Sequence, residues 1–151
     1  MEYPKDKLNP QWVHEPIKQE IVGWCESFGE YLVTGDNNYS EPLTTSQIRR
    51  FFGEVKRIEM NLDASNKENK DAENLSKITM LNPLLTYAVG RKMKKVGREM
   101  KCTSAIKPFY EELSKAITEI GKNKEHYKEY FKNFVKIFEA IVAYHKMYGG
   151  E

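Results

Sequence analysis

The stretch that decides the fold runs from Lys124 to Tyr148 and reads KEHYKEYFKNFVKIFEAIVAYHKMY. Its apolar residues recur at steps of three and four, which is the spacing of one helix face. They are Tyr127, Tyr130, Phe131, Phe134, Val135, Phe138, Ile141 and Val142. Gly149 and Gly150 follow and end the segment. The pattern therefore predicts a long final helix whose broad aromatic face needs other helices to cover it.

Four more segments with helical spacing precede it, at about residues 10–33, 45–62, 74–99 and 104–120. Thr44 and Gln47 match a capping box at the start of the second segment. Pro83 fits either the start of the main third helix, after a cap at Asn82, or a kink in a longer one. The predicted fold class is all-α, a compact bundle of about five helices. We expect a single helical domain over residues 1–151, with residues 1–9 loosely ordered and the polar segment 63–74 forming a mobile loop.

Charge is unevenly distributed along the 151 residues, although the net charge is only +2. Residues 1–44 hold 3 basic and 8 acidic side chains, whereas residues 45–151 hold 21 basic and 14 acidic ones. Such asymmetry points to an anionic partner for the basic part. No apolar run is long enough to span a membrane, the first residues lack a secretory pattern, and Cys25 and Cys102 have no neighbouring cysteine. We therefore expect a cytoplasmic protein with reduced cysteines and no membrane partner.

Catalysis has little support in the sequence. His14, His126 and His145 lie outside the zinc-helix and di-iron spacings, and no glycine-rich phosphate loop is present. His145 follows Ile141 and Val142 on the apolar side of the last helix, so we interpret it as a core histidine rather than a ligand. The sequence predicts no enzyme, no cofactor and no metal site.

A basic run offers better support for binding. Residues 91–101 read RKMKKVGREMK, with six basic residues and one acidic residue. On a helix continuing to Glu99, one lateral stripe would hold Tyr87, Arg91, Lys94, Lys95 and Arg98. Such a stripe spans roughly 16 Å, enough to touch several phosphates, and the Tyr87 ring offers a base something to stack on.

The second helix adds cations to this prediction. Arg50 and Arg57 are seven residues apart and share a side, while Arg49 and Lys56 share a flank. Contacts of this kind hold phosphates without reading sequence, and they weaken with salt. The alternative is that the charged faces are ordinary solvated surface and the chain is a helical protein–protein adaptor with no direct RNA contact.

Three blocks of sequence, in this order, carry a family resemblance: LTTSQIRR at 43–50, LLTYAVGR at 84–91 and FEAIVAYHKMYGG at 138–150. Together they resemble the small-subunit family of the type III-A CRISPR (Csm) effector complex. The resemblance implies an all-helical, non-catalytic protein that serves antiviral defence. It also implies that several copies stack beside the backbone subunits and line the groove that holds guide RNA and target RNA. Cleavage would then belong to the backbone and large subunits.

The resemblance places Arg49 or Arg50, together with Arg91, at the RNA backbone. Lys56 and Arg57, and the stripe of Tyr87, Lys94, Lys95 and Arg98, follow from helix geometry instead. Tyr144 and Tyr148 both belong to the last block but lie off the main apolar stripe, and we interpret both as contacts to another subunit. The acidic residues 1–42 suit a contact with a basic neighbour in the stack.

Overall fold

Six α-helices, one 3₁₀ helix and one β-hairpin form the part of the chain that the structure describes, residues 2–62 and 70–151 of this computed structural model. The 3₁₀ helix spans Pro10–His14. The α-helices are α1 (Gln19–Thr34), α2 (Thr45–Asn61), α3 (Lys70–Thr79), α4 (Leu81–Gly90), α5 (Ile106–Gly121) and α6 (Tyr127–Met147). The antiparallel hairpin pairs β1 (Met93–Val96) with β2 (Glu99–Cys102). The predicted all-α class is confirmed, with the hairpin as its one sheet among these residues.

Helix α6 runs through the centre of the core, as its aromatic face predicts. Phe131, Phe134 and Phe138 are completely buried, and each such side chain stabilises the fold by about 1.5–3 kcal/mol through removal from water. The interpretation of His145 as a core histidine is confirmed, because its side chain is buried and its Nε2 lies 2.7 Å from the carbonyl oxygen of Leu43. Helix α6 therefore organises the bundle and also contacts the segment that leads into α2.

The predicted capping box is confirmed at the start of α2. The Thr44 hydroxyl accepts a hydrogen bond from the Gln47 backbone N–H at 3.2 Å, and the Gln47 side-chain oxygen accepts one from the Thr44 N–H at 2.9 Å. Two of the unpaired donors at the helix start are satisfied in this way. The box fixes where α2 begins and which way its basic residues project.

The predicted third helix, residues 74–99, is wrong in its extent. Helix α3 begins at Lys70, a break at Met80 separates it from α4, and α4 ends at Gly90. Pro83 lies in the first turn of α4, where its missing N–H costs no intrahelical bond. It therefore marks a helix start rather than a kink, but the cap is Met80 and not the predicted Asn82, which lies inside α4. Residues 63–69 of the predicted mobile loop lie outside the described residues.

The hairpin replaces the end of that predicted helix. Gly97 and Arg98 form its two-residue loop, and Gly97 has φ +67, as primed hairpin turns require at their first central position. Met93, Val96 and Met100 sit at helical spacing in the sequence, yet they are 37%, 45% and 59% exposed. A helix here would have had no core to bury that face, and most helical stability comes from such burial.

The N-terminal segment also differs from its prediction. Residues 10–33 form a 3₁₀ helix and then α1, because Pro16 separates the two and disfavours a helical residue before it. Within residues 2–9, Leu8 is held in the bundle: its side chain is 2% exposed and its N–H donates to Glu112 Oε1 at 3.1 Å. Cys25 and Cys102 are both buried, free thiols. Among the described helices, none is both long and apolar enough to cross a membrane.

Candidate nucleic-acid interface

Helices α2 and α4 enclose a pocket of about 250 Å³ with an apolar floor and a cationic rim, which we call the α2–α4 pocket. Its lining comes from α2, α4, the two residues after α4 and the start of α5. The lining residues are Gln47, Arg50, Phe51, Leu84, Leu85, Tyr87, Ala88, Arg91, Lys92 and Ile106. The pocket brings Arg50, from one recognised block of sequence, together with Tyr87 and Arg91 from another.

Local backbone structure holds the rim residues in place. The Arg91 N–H donates to the Tyr87 carbonyl at 2.9 Å, and the Lys92 N–H donates to the Val89 carbonyl at the same distance. These bonds close the end of α4 and turn the chain towards the hairpin. Arg50 lies on the first turns of α2, whose start is fixed by the capping box.

Three rim cations form no ion pair among the described residues. Arg50, Arg91 and Lys92 are exposed and make no ion pair or side-chain hydrogen bond within residues 2–62 and 70–151. Glu41 acts on Lys92 only electrostatically, without an ion pair, so the three side chains keep positive charge available to an anion at the pocket rim.

Two of the other three cations predicted on α2 are already paired. Lys56 Nζ lies 2.8 Å from Glu59 Oε1 and 3.0 Å from Glu139 Oε1, and these bonds raise the pKa of Lys56. Arg57 Nη1 lies 2.6 Å from Glu54 Oε1. Lys56 and Arg57 therefore present less net charge to a ligand than Arg50 does.

A second groove of about 680 Å³ adjoins the α2–α4 pocket, and the two share Arg50 and Leu84 in their linings. Arg57 and Lys77 also line it. Lys77 Nζ lies 3.5 Å from Glu73, so both of these cations have carboxylate partners. The unpaired positive charge is concentrated at the pocket end of this groove.

The predicted basic stripe of Tyr87, Arg91, Lys94, Lys95 and Arg98 is wrong as a helical surface, since α4 ends at Gly90. In the hairpin, Lys94 lies opposite Lys101 and Lys95 lies opposite Met100. Side chains alternate along a strand, so Lys94 and Lys95 project to opposite faces of the hairpin. Arg98 lies in the turn. Only Tyr87 and Arg91 of the stripe line the pocket.

Hairpin cations differ in their pairing. Lys94 Nζ lies 3.5 Å from Glu41 Oε2, which also accepts a hydrogen bond from the Thr103 hydroxyl at 2.6 Å. The Thr103 bond, helped by Lys94, lowers the pKa of Glu41 and keeps it ionised. Lys95 and Arg98 are exposed and have no carboxylate partner among the described residues. Arg49 is exposed on α2, outside the lining of the α2–α4 pocket.

Two polar residues of the pocket lining, Lys92 and Gln47, are not among the site residues predicted from the sequence. Lys92 belongs to the basic run 91–101, but on the predicted helix it would lie outside the basic stripe. Because α4 ends at Gly90, Lys92 lies beyond the helix and lines the pocket instead. Gln47 was assigned only to the capping box, yet it lines the pocket as well.

The tyrosines interpreted as subunit contacts both lie against α1 of the same chain. Tyr148 donates its hydroxyl proton to Glu26 Oε2 at 3.0 Å, and Tyr144 packs beside Gly29. Both rings are half-buried.

Two of the remaining candidate ligands have partners of their own within the chain. His14 Nε2 lies 3.0 Å from Glu119 Oε2, and the His14 ring stacks on Tyr130 at 4.3 Å. His145 is held by Leu43. Among residues 2–62 and 70–151, no group of three His, Cys, Asp or Glu side chains is placed to hold a metal ion.

Comparison with known proteins agrees with the sequence resemblance. The family model for Csm2 Type III-A matches residues 19–151. A curated relative from Streptococcus thermophilus, named "CRISPR system Cms protein Csm2", is 30% identical over 122 residues, which cover 80% of this chain and 84% of the relative. No solved structure matches. Since the family match extends over most of the chain, the resemblance is confirmed, and this protein belongs to the Csm2 family, the small subunit of the type III-A CRISPR complex.

Proposed function

We propose that this chain is a non-catalytic small subunit that lines the guide/target RNA groove of a type III-A CRISPR complex and holds the RNA backbone through Arg50, Arg91 and Lys92. One observation carries the proposal: three cations that form no ion pair within the described residues meet at one pocket beside an exposed tyrosine, in a member of the Csm2 family. The setting is antiviral defence in the cytoplasm.

Electrostatics supports phosphate as the group that these cations bind. An arginine with no carboxylate partner gives up no ion pair when a phosphate arrives, and its planar fork matches two phosphate oxygens. Lys56 and Arg57 would first have to leave Glu139 and Glu54, so they contribute less. Contacts of this kind carry no sequence information, so the binding is sequence-tolerant and salt-dependent.

The hairpin extends the basic surface beyond the pocket. Lys95 and Arg98 stand exposed on it, and Arg49 stands exposed on α2. We assign these three a supporting role along the RNA backbone. Lys94 has a weaker one because Glu41 partly neutralises it.

The partners of the chain within the complex are the backbone and large subunits, the guide and target RNA, and further copies of itself. Residues 1–44 hold 8 acidic and 3 basic side chains, which suits a contact with the basic remainder of a neighbouring copy. Tyr144 and Tyr148 keep part of each ring exposed for a subunit contact. His14 and His145 support a non-catalytic role, since both are engaged in packing.

A charge-removal experiment in the reconstituted complex tests the proposal. The variant carries Arg50→Ala and Arg91→Ala, and target-RNA affinity is measured over a series of salt concentrations. We expect weaker binding for every target sequence alike, and a salt slope that falls by about 1 for each lost contact. The matched control carries Lys122→Ala and Lys124→Ala, which removes two exposed lysines outside the α2–α4 pocket.

Two results would contradict the proposal. Unchanged RNA retention in the Arg50/Arg91 variant would favour the protein–protein adaptor, and substitution of Tyr144 or Tyr148 would then release a protein partner. A loss confined to particular target sequences would contradict contact with the backbone.

A further inference from the structure

The floor of the α2–α4 pocket does not suit a phosphate. Phe51, Leu85 and Ile106 are almost completely buried beneath it, and Leu84 and Ala88 add half-buried apolar surface. A charged group placed on such a floor would lose hydration and gain no hydrogen bond. Cations alone would hold an RNA backbone equally well on a flat surface. The cavity therefore calls for an apolar part of the ligand.

Tyr87 stands at the edge of this cavity with 62% of its surface exposed. An aromatic ring kept in water beside an apolar pocket is a stacking surface for a planar ligand. Stacking of one base on an aromatic side chain strengthens binding by roughly fivefold to a hundredfold.

Gln47 adds a hydrogen-bond donor at the same place. Its side-chain oxygen is occupied by Thr44, an assignment that the Thr44 N–H donor requires. Its Nε2 donates to no acceptor within residues 2–62 and 70–151. A carbonyl oxygen or ring nitrogen of a base can accept from it.

We infer that the α2–α4 pocket receives a single unpaired nucleobase, while Arg50, Arg91 and Lys92 hold the phosphates on either side of it. The inference rests on the proposed function and specifies the RNA feature that this surface recognises. Proteins commonly bind unstacked bases in pockets lined by aromatic and apolar side chains. A base that is already unpaired enters such a pocket at a lower free-energy cost, because no base pair has to be broken. The floor has no polar group that could distinguish one base from another, so we expect the pocket to accept all four bases.

The consequence is a preference for RNA with an unpaired nucleotide over fully paired RNA. The test uses the full-length chain at low ionic strength and two labelled duplexes that differ only by one unpaired nucleotide in one strand. Affinity is measured by fluorescence anisotropy. We expect the bulged duplex to bind about tenfold more tightly. A 2-aminopurine at the unpaired position should lose fluorescence on binding, as it stacks on Tyr87.

Three variants tell the base contact from the phosphate contacts. Tyr87→Ala removes the stacking ring and Ala88→Leu fills the cavity, and each should bring the affinity for bulged RNA down to that for paired RNA. The salt slope for paired RNA should stay the same in both variants, because all rim cations remain and the slope counts phosphate contacts. Tyr87→Phe keeps the ring and should keep the preference. Circular dichroism confirms that each variant is folded.

The failures of the two proposals are distinguishable. Equal, salt-dependent binding of bulged and paired RNA would overturn the base pocket and leave the proposed function standing. A preference that persists in both Tyr87→Ala and Ala88→Leu would also overturn it. If neither RNA binds measurably, the result contradicts the base pocket. The proposed contact with the RNA backbone is then decided by RNA retention of the Arg50/Arg91 variant in the assembled complex.

Discussion

Gly29 on α1 lies so close to α6 that a β-carbon at position 29 would sit 2.8 Å from the β-carbon of Tyr144 and 2.9 Å from the backbone nitrogen of His145. Separations under 3.0 Å essentially never occur for real β-carbons. The two helix backbones can pack this closely only because residue 29 has no side chain. This contact holds α1, and with it the acidic N-terminal third of the chain, on the central helix.

Gly29→Ala should therefore destabilise the protein by about 1–3 kcal/mol, although alanine is the better helix former, because the added methyl group would overpack the interface. The matched control is Gly23→Ala on the same helix, where nothing lies within 4 Å of the new β-carbon. That control should stabilise the protein by roughly 0.5–1 kcal/mol. Urea unfolding measures both changes. A Gly29→Ala protein as stable as the Gly23→Ala protein would contradict the close contact.

His145 connects α6 to the segment before α2, with its Nε2 2.7 Å from the Leu43 carbonyl oxygen. His145→Ala would leave that carbonyl, on a residue only 1% exposed, without its partner and would open a cavity. We expect a loss of about 2–4 kcal/mol in the free energy of unfolding. Lys146→Ala, on the exposed neighbouring residue, serves as the control and should stay within about 0.5 kcal/mol of the parent protein. Equal stability of the two variants would show that the histidine bond contributes little.

Tyr3 gives the stability a dependence on alkaline pH. Its hydroxyl donates to the buried Glu112, and burial together with this bond raises the pKa of Tyr3 well above its ordinary value of 10.0. The unfolded chain therefore loses this proton at a lower pH than the folded chain does. Stability from Tyr3 is fully present below about pH 10 and is lost as the pH rises above it.

Tyr3→Phe should remove this part of the pH dependence. The measured quantity is the difference in unfolding free energy between the parent protein and the variant, at about pH 9 and about pH 11. We expect the parent's advantage to shrink at the higher pH. The pKa of Tyr31 is also raised, by burial and by its bond to Asp36, and both proteins retain Tyr31, whose ring lies 4.7 Å from the Tyr3 ring. A constant difference would show that the Tyr3 bond does not persist in solution.

Much of the fold could be predicted from local patterns. The spacing of Phe131, Phe134 and Phe138 was sufficient to predict α6, because a helix that buries one face carries apolar residues at intervals of three and four. The Thr44–Gln47 capping box was readable because all of its atoms lie within four residues. Both features are encoded by residues that are close together in the sequence, so both could be predicted from it.

The hairpin could not be predicted because its structure depends on distant partners. Beyond β2, the Glu41 N–H donates to the Thr103 carbonyl and the Ala105 N–H donates to the Glu41 carbonyl, so a segment some sixty residues earlier fixes the hairpin base. The four-residue strands do not alternate, and Met93, Val96 and Met100 imitate a helical stripe. Arg50 and Arg91 could be nominated from sequence, but their meeting with Lys92 depends on how α2 packs against α4.

Gly97 offers a way to separate the hairpin from the bundle. At φ +67 an alanine costs about 1–2 kcal/mol, and a two-stranded hairpin is only marginally stable. Gly97→Ala should therefore remove the hydrogen-exchange protection of the β1 and β2 amides, while the unfolding free energy of the bundle changes by less than about 0.5 kcal/mol. Gly90→Ala, at a position with open space and without positive φ, is the matched control and should preserve the hairpin amides.

RNA binding by Gly97→Ala and Gly90→Ala then shows whether the pocket cations or the hairpin cations bind the RNA. If Arg50, Arg91 and Lys92 carry the interaction, Gly97→Ala keeps most of the affinity, and its salt slope falls by no more than about 2, the share of Lys95 and Arg98. Complete loss of RNA binding in Gly97→Ala, with the bundle intact, would move the binding surface from the α2–α4 pocket to the hairpin. A collapse of the bundle itself would instead make the hairpin part of the cooperative fold, contrary to the exposure of its strands, in which Cys102 is the one buried residue.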